Sequence, residues 1–128
     1  MKKNLPRKTK KEIANDFLRL ASSGKVREAY EKYVHPDFIH HNAYFKGGRE
    51  SLMNAMAENA EKFPDKKYEV LRALEDGNFV AVHGKVGNVF GKDWSVIHIF
   101  RFEDNKIMEE WEASQEDLKD SPNENGIF

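Results

Sequence analysis

Two carboxylates and one histidine, Glu110, Glu112 and His98, lie in the most regularly patterned stretch of the sequence, residues 93–115. This stretch is typical of two strands joined by a tight turn at residues 103–106, where Asp and Asn tolerate left-handed backbone. His98 shares one face of its strand with the apolar residues Val96, Phe100 and Phe102. Because a hairpin brings neighbouring faces together, an imidazole and a carboxylate can come within reach of each other. Such a pair predicts general acid–base chemistry.

A plainer interpretation of the same residues stays open. The second strand alternates two sets of residues, with Ile107, Glu109, Trp111 and Ala113 on one face and Met108, Glu110, Glu112 and Ser114 on the other. The face with Glu110 and Glu112 either meets water or lines a polar cavity. A single histidine on an apolar strand is most often a hydrogen-bonded core residue.

Composition limits the remaining possibilities. The 128 residues suffice for one domain with one core, and the absence of cysteine excludes a disulfide framework, a thiolate nucleophile and a zinc–cysteine site. Lys and Arg number 21 against 22 Asp and Glu, which leaves no strong positive field to attract nucleic acid. We expect a single domain over residues 9–118, between a flexible basic N-terminus at residues 1–8 and a C-terminal tail at residues 119–128. The apolar Ile127 and Phe128 either dock on the fold or a partner, or fray with the tail.

The basic opening of the chain is followed by no apolar run of signal-peptide length, and no stretch is long enough to cross a membrane. We therefore expect a cytoplasmic protein with no membrane partner. The opening lysines are either a solvated terminus or a nucleic-acid arm, and composition favours the terminus.

Helical periodicity predicts three helices, at residues 9–23, 26–34 and 49–63, with a capping box formed by Thr9 and Glu12. Strands follow at residues 67–75, where Tyr68, Val70 and Leu74 alternate with polar or charged residues, and at 78–90. Gly84 and Gly87 interrupt the latter, as at a bulge or a close backbone approach. The predicted fold is α+β, a cone-shaped, curved, mostly antiparallel sheet wrapped around the N-terminal helices, with an apolar mouth.

Further polar residues occur where a pocket would form. His41 and Asn42 lie between apolar residues and are candidates to donate hydrogen bonds to a ligand, or they belong to a surface loop. His83 lies in the middle of a strand, on a face that the pattern leaves ambiguous. His40, His41, His83, His98 and Glu112 include zinc and iron ligand types, but no close ligand spacing supports a site, so we expect no metal.

Four segments together resemble the SnoaL-like polyketide cyclases, within the nuclear transport factor 2-like superfamily. They are residues 38–42 followed by Gly47 or Gly48, residues 76–83, residues 99–111 with Gln115, and residues 125–128. The third is the most specific, because the family carries an arginine-containing strand, an acidic turn and a closing strand built around Glu-His-Trp-Asp. The resemblance implies a cone-shaped α+β fold, no metal or organic cofactor, and a homodimer formed through the outer sheet face.

The characterised cyclases close a polyketide ring by an intramolecular aldol reaction, in which an aspartate removes the proton next to a carbonyl. By this resemblance the aspartate position falls on Glu112 and the strand histidine on His98, which makes these two the candidate catalytic residues. His41, Asn42, His83, Glu110 and Trp111 are the candidate substrate-binding residues.

The chain departs from the family pattern at two positions. Glu110 replaces the histidine before the tryptophan, and Glu112 is one methylene longer than the usual aspartate. Because neighbouring like charges and apolar burial both raise a carboxyl pKa, we expect Glu112 to be a stronger base than a free carboxylate.

The leading hypothesis is therefore a cofactor-free lyase or isomerase that abstracts an α-proton from a small apolar carbonyl compound. The alternative is a non-catalytic small-molecule-binding or dimerisation domain, because this fold hosts both kinds of function.

Overall fold

A computed structural model of the protein describes residues 8–128, so most of the predicted flexible N-terminus lies outside the described residues. The chain forms three helices and five strands: α1 Lys10–Ser22, α2 Val26–Tyr33, β1 Val34–His40, α3 Arg49–Lys62, β2 Lys67–Asp76, β3 Phe79–Val89, β4 Lys92–Glu103 and β5 Lys106–Glu116. The predicted helices and the hairpin are confirmed. Within residues 8–128, no helix is both long and apolar enough to span a bilayer.

The five strands form one open, mixed sheet in the order β1-β5-β4-β3-β2. β1 runs parallel to β5, and the other neighbours are antiparallel. The helices cover one face, here called the inner face, to which Val80, Val82, Phe100 and Phe102 contribute buried side chains. The opposite, outer face carries Ile97 and Ile99, which are partly exposed. This arrangement confirms the predicted α+β fold.

Local sequence signals explain where the helices begin and end. Thr9 accepts from the Glu12 amide and the Glu12 side chain accepts from the Thr9 amide, which completes the predicted capping box of α1. α1 is followed by Gly24, whose φ of 92° suits glycine. The ring of Phe17 in α1 then packs edge-on against Tyr30 and Phe100, at centroid distances of 5.4 and 5.9 Å. These contacts fix α1 and α2 above the strand that carries His98.

β1 begins earlier than the sequence indicated. The extended chain starts at Val34, directly after α2, and includes Pro36. Proline disfavours helix at the preceding residue and is tolerated in a strand at the sheet edge, which β1 occupies. As a consequence, β1 places residues 41 and 42 beside the middle of β5.

Two register shifts correct the predicted faces. In β5 the pairing passes from Arg101 with Glu109 to Phe102 with Ile107, so that Met108 is an extra residue. Ile107 is consequently buried on the inner side with Glu110 and not on the face of Glu109, as strict alternation had predicted. A similar shift in β2 leaves Leu74 71% exposed, so it does not continue the face of Tyr68 and Val70.

Gly84 is the predicted close backbone approach. A Cβ at this position would lie 2.6 Å from ring atoms of Tyr68, so only glycine leaves room for the tyrosine on the inner face. Gly84 pairs with Val96 of β4, two residues from His98. Tyr68 therefore packs next to the strand that carries the candidate histidine.

The end of the chain returns to the outer face. Ile127 and Phe128 are half-buried, and the Lys85 ammonium lies 4.7 Å from the centre of the Phe128 ring. This contact matches the docked alternative for the apolar tip. The division into a domain at 9–118 and a tail at 119–128 stays a prediction.

Candidate active site

The candidate acid–base residues meet on the inner face where β4 and β5 pair. His98 lies directly opposite Glu112, and Phe100 lies opposite Glu110. The Nε2 atom of His98 is 3.2 Å from Glu112 Oε2 and 3.7 Å from Glu110 Oε1. One imidazole nitrogen thus faces two carboxyl groups.

Asn42 holds Glu112 from the opposite side. Its Nδ2 donates to Glu112 Oε1 over 2.5 Å, while the amide of His41 donates to the carbonyl of Glu110 over 3.0 Å. Both contacts follow from the position of β1 beside β5. Glu112 therefore has one oxygen on an amide and the other on an imidazole, which restricts its orientation.

The three ionisable groups have different protonation preferences. Burial alone would lower the pKa of His98, but the hydrogen bond to Glu112 and the two nearby carboxyl groups raise it above the usual value. Burial alone would raise the pKa of Glu112, but contacts with His98 and Asn42 hold it below the usual value. For Glu110, burial dominates and raises the pKa to about 8. These shifts favour an imidazolium at His98, a carboxylate at Glu112 and a neutral carboxylic acid at Glu110.

This result corrects the expected pKa of Glu112. Proximity of two carboxyl groups does raise one pKa, but the affected residue is Glu110, which is 3% exposed and has an unpartnered Oε2. Glu112 reaches the cavity edge and is neutralised by His98, so its pKa falls. Glu112 is consequently ionised at neutral pH but is not a strengthened base.

His98 and Glu112 line a cavity of about 760 Å³ between the helices and the inner face. Asn42 also lines it, whereas Glu110 lies behind His98 and does not reach the cavity wall. Most of the remaining wall is apolar or aromatic, including Leu18, Met56, Val86, Val89, Trp94 and Val96. The volume and lining suit a small organic molecule with a polar group near His98.

Besides Glu110, three predicted substrate-binding residues direct their side chains away from the cavity. Trp111 alternates with Glu110 and Glu112 and therefore points to the outer face, where the His41 ring stacks on it at 5.0 Å. His41 Nε2 also contacts Glu109 Oε2 at 2.6 Å, so its imidazole belongs to this outer cluster although the residue borders the cavity. The site prediction for these two side chains did not take account of how inward-facing and outward-facing residues alternate along β5.

His83 is also on the outer face. Its Nε2 is 2.7 Å from Ser95 Oγ, and Arg72 donates to its Nδ1. Burial, together with the charge of Arg72, lowers the pKa of His83. The inner positions of β3 are Val80, Val82 and Gly84, and His83 falls between them. This placement resolves the ambiguous face and separates His83 from the cavity.

Of the five residues considered as metal ligands, only His98 and Glu112 come together. Their ligand atoms and those of Glu110, which was not in that set, all lie within 4.8 Å of one another. His40 is occupied elsewhere, because its Nε2 contacts the carbonyl of Lys46 at 2.6 Å and its Nδ1 accepts from the Asn42 amide. The expectation of no metal stays a prediction.

Sequence reasoning missed several polar residues of the cavity, among them Ser22, Asn59, Lys66 and Ser114. Lys66, between α3 and β2, lines the cavity together with Asn59, to which its Nζ donates over 2.7 Å. Lys66 lies in a run of three charged residues, Asp65, Lys66 and Lys67, that resembles an ordinary solvated turn. Its two-residue spacing from inward-facing Tyr68 was the available signal.

The three helices packed on one face of an open, mixed five-stranded sheet are an NTF2-like fold. Solved structures agree. An NTF2-like protein of unknown function from Cytophaga hutchinsonii superposes with a TM-score of 0.69 at 21% identity, covering 86% of this chain and 93% of that chain. A candidate polyketide cyclase from Bacillus cereus gives 0.72 at 23% identity, covering 84% and 75%. At these identities the likeness shows the fold.

The sequence itself defines the family. The family model for SnoaL-like polyketide cyclases matches residues 11–117, and the chain belongs to this family. No curated protein matches the chain significantly. A further structural neighbour, AclR from Streptomyces galilaeus, described as a candidate hydroxylase, has a TM-score of 0.71 at 19% identity and covers 83% of this chain and 88% of that chain.

Proposed function

We propose that the protein is a cofactor-free enzyme of the lyase or isomerase type that removes a proton next to a carbonyl group of a small, largely apolar compound. The observation that carries the proposal is the ionised Glu112 carboxylate, held by His98 and Asn42 at the wall of an apolar cavity. Membership of the SnoaL-like family supports chemistry of the aldol or cyclase type.

In the proposed reaction, Glu112 accepts the α-proton while the C–H electron pair moves toward the carbonyl oxygen. His98 and Asn42 both line the cavity. Asn42 has a second amide N–H besides the one that it donates to Glu112, and the His98 N–H that faces Glu112 is released as Glu112 takes the proton, so these two residues are the donors that stabilise the developing enolate. His41 was a third candidate, but its ring faces the outer cluster. The proton on Glu112 then returns to carbon. Alternatively, the enolate carbon attacks a second carbonyl carbon of the same molecule, and the alkoxide that forms takes the proton from Glu112, which restores the base.

The lowered pKa of Glu112 restricts the substrate. A weak carboxylate base abstracts protons efficiently only when the carbon acid is comparatively strong or when the enolate oxygen is well stabilised. A carbon between two carbonyl groups meets the first condition. This favours 1,3-dicarbonyl compounds over simple ketones.

Glu110 contributes through its neighbours in this proposal. Because the buried acid is neutral at neutral pH, the net charge beside His98 stays near zero and the imidazolium remains available as a donor. An ionised Glu110 would compete with Glu112 for His98. We therefore treat Glu110 as a positioning residue.

The outer face supports the expected homodimer. Phe79, Ile97 and Ile99 expose 45%, 47% and 39% of their surfaces on neighbouring strands β3 and β4. A contiguous apolar patch of this kind is typical of an interaction surface. We infer that a second copy of the chain covers it, which leaves the cavity on the inner face accessible.

Deuterium exchange tests the proton abstraction without knowledge of the natural substrate. Apolar 1,3-dicarbonyl compounds and ketones are incubated in D₂O, and loss of the α-proton signal is followed by NMR against a protein-free control. We expect wild type to accelerate exchange of at least one compound and Glu112→Gln to remove that acceleration.

Glu116→Gln is the matched control, because Glu116 is on the same strand but pairs with Lys92 near the surface. It should retain exchange activity. Acceleration that survives in Glu112→Gln would refute the assignment of the base. A tightly bound, chemically unchanged ligand with no acceleration of exchange would instead identify the alternative, a non-catalytic binding domain.

A further inference from the structure

The cavity contains an ammonium group that the proposed chemistry does not use. Lys66 is half-buried, lines the cavity and donates to Asn59 Oδ1. Within residues 8–128, it takes part in none of the ion pairs. A half-buried cation with one neutral partner is costly unless an anion joins it.

The other charges of the cavity do not compensate Lys66. His98 and Glu112 neutralise each other across 3.2 Å, and Glu110 keeps its proton at neutral pH. Burial lowers the pKa of Lys66, as expected for a cation that lacks a counter-charge. The polar lining therefore carries one uncompensated positive charge.

The geometry around Lys66 suits a carboxylate. Its Nζ already points at the Oδ1 of Asn59, which turns the Nδ2 of the same amide away from the ammonium. This Nδ2 donates to no acceptor among the described residues. An ammonium and a nearby amide N–H can each donate to one oxygen of a carboxylate.

Strand register places this group far from the acid–base pair. Tyr68, Val86 and Trp94 form one row across β2, β3 and β4, and Lys66 precedes that row by two residues. His98 is four residues further along β4 than Trp94, which corresponds to about 13 Å at the rise of a strand. Allowing for the reach of the lysine side chain, the ammonium and the imidazole are separated by on the order of 10–15 Å of mainly apolar wall.

Aromatic residues mark the same end of the cavity. The rings of Phe63 and Phe90 meet edge-on at 4.7 Å, and the Lys62 ammonium lies 5.0 Å from the centre of Phe90. Phe90 has a φ of 54° in the two-residue turn between β3 and β4, a position that favours Asn, Asp or Gly. A bulky residue in left-handed backbone is typical of a functional position, here a partly exposed aromatic rim.

We propose that the ligand of this cavity is an amphipathic oxo acid, with its carboxylate on Lys66 and Asn59 and its carbonyl beside His98 and Glu112. The apolar body lies along the row of Tyr68, Val86 and Trp94. The inference deepens the proposed function, since calling the ligand a substrate rests on the reaction proposed for Glu112. Recognition of the carboxylate itself is a binding property and can be tested separately.

The test compares two ligands that share the same alkyl chain and ketone but differ in whether they carry the anionic group. Isothermal titration calorimetry measures binding of oxodecanoate, a methyl ketone with a terminal carboxylate, and of its neutral amide, oxodecanamide. We expect wild type to prefer the acid by about tenfold, the size of one charge-assisted hydrogen bond. Lys66→Met should abolish the preference and Lys66→Arg should keep it.

Two further variants separate recognition from general charge effects. Asn59→Asp supplies Lys66 with an internal carboxylate and should abolish the preference without removing the lysine. Lys67→Met is the matched control, because Lys67 is exposed on β2 and does not line this cavity. It should bind both compounds like wild type.

Equal binding of acid and amide to wild type, no binding of either, or a preference that persists in Lys66→Met would overturn the inference. So would a loss of preference in Lys67→Met as large as that in Lys66→Met. Glu112→Gln should leave the preference intact. Preference for the acid without proton exchange would therefore count against the proposed reaction only, and exchange without the preference would count against carboxylate recognition only.

Discussion

The buried acid Glu110 should make the stability of the protein depend on pH in a way that one substitution removes. In the unfolded chain its carboxyl ionises near the ordinary value of 4.5, whereas burial raises the pKa to about 8 in the folded protein. Between these values the folded state binds more protons than the unfolded state. Stability due to Glu110 is thus fully present below pH 4.5 and is lost as pH rises to about 8.

The size of the effect follows from the separation of the two pKa values. Each pH unit between them lowers the free energy of unfolding by about 1.4 kcal/mol. From pH 5 to pH 8 the loss is therefore on the order of 4 kcal/mol, a large part of the stability of a typical domain.

Glu110→Gln should remove this pH dependence, because glutamine keeps the shape of the protonated acid but cannot ionise. We expect the variant to match wild type near pH 5 and to become progressively more stable than wild type toward pH 8. The gain should reach several kcal/mol, on the order of the loss that wild type suffers. Urea denaturation followed by circular dichroism at successive pH values measures the difference.

Glu109 provides the matched control, since it is the neighbouring residue but faces outward. Its hydrogen bond with His41 is the main cause that lowers its pKa, and Arg101 adds to this. Stability due to Glu109 is present above its unfolded pKa and is lost as pH falls through its folded pKa. Glu109→Gln should therefore be less stable than wild type at neutral pH, with the difference shrinking in acid. If the stability difference between Glu110→Gln and wild type were constant from pH 5 to pH 8, Glu110 would not be a buried neutral acid.

Three further results are expected. Gly84→Ala should lower the free energy of unfolding, measured by urea denaturation, by about 1–3 kcal/mol, because its Cβ would meet the Tyr68 ring. The loss should be much smaller in a Tyr68→Leu background, and equal losses in the two backgrounds would contradict the contact. Ligand binding should change the fluorescence of Trp94, which lines the cavity, so the change should survive Trp111→Phe and disappear in Trp94→Phe. Light scattering should find a dimer for wild type and a monomer for Ile99→Glu, whereas a monomeric wild type would exclude the proposed interface.

The alternation of side chains along β4 and β5 and the residue types of the turn between them predicted the part of the site that these two strands supply. His98 and Glu112 are direct cross-strand partners, and the turn residues Asp104 and Asn105 have the left-handed backbone, with φ of 51° and 60°, that a tight hairpin requires. The pairing of the two strands follows from local sequence. For this reason local sequence predicts that an imidazole and a carboxylate meet across this hairpin.

The faces of His41, His83 and Trp111 required information that local patterns do not contain. His83 lies between apolar residues on both sides, so its orientation depends on how β3 pairs with β4. His41 follows β1, and its ring position depends on the parallel pairing of β1 with β5, which joins segments far apart in the sequence. Long-range pairing therefore decided which histidines share the cavity.

The different environments of Glu109 and Glu110 show how one backbone irregularity can set the chemistry of a site. The extra residue at Met108 lets Ile107 fill the core while Glu110, three positions later, also points inward. Strict alternation would expose one of these two side chains. The shift thus places a carboxyl group where water cannot solvate it, and the resulting proton on Glu110 allows Glu112 to keep His98 as its counter-charge. In this protein, the availability of the proposed base depends on a bulge as much as on the identity of the glutamates.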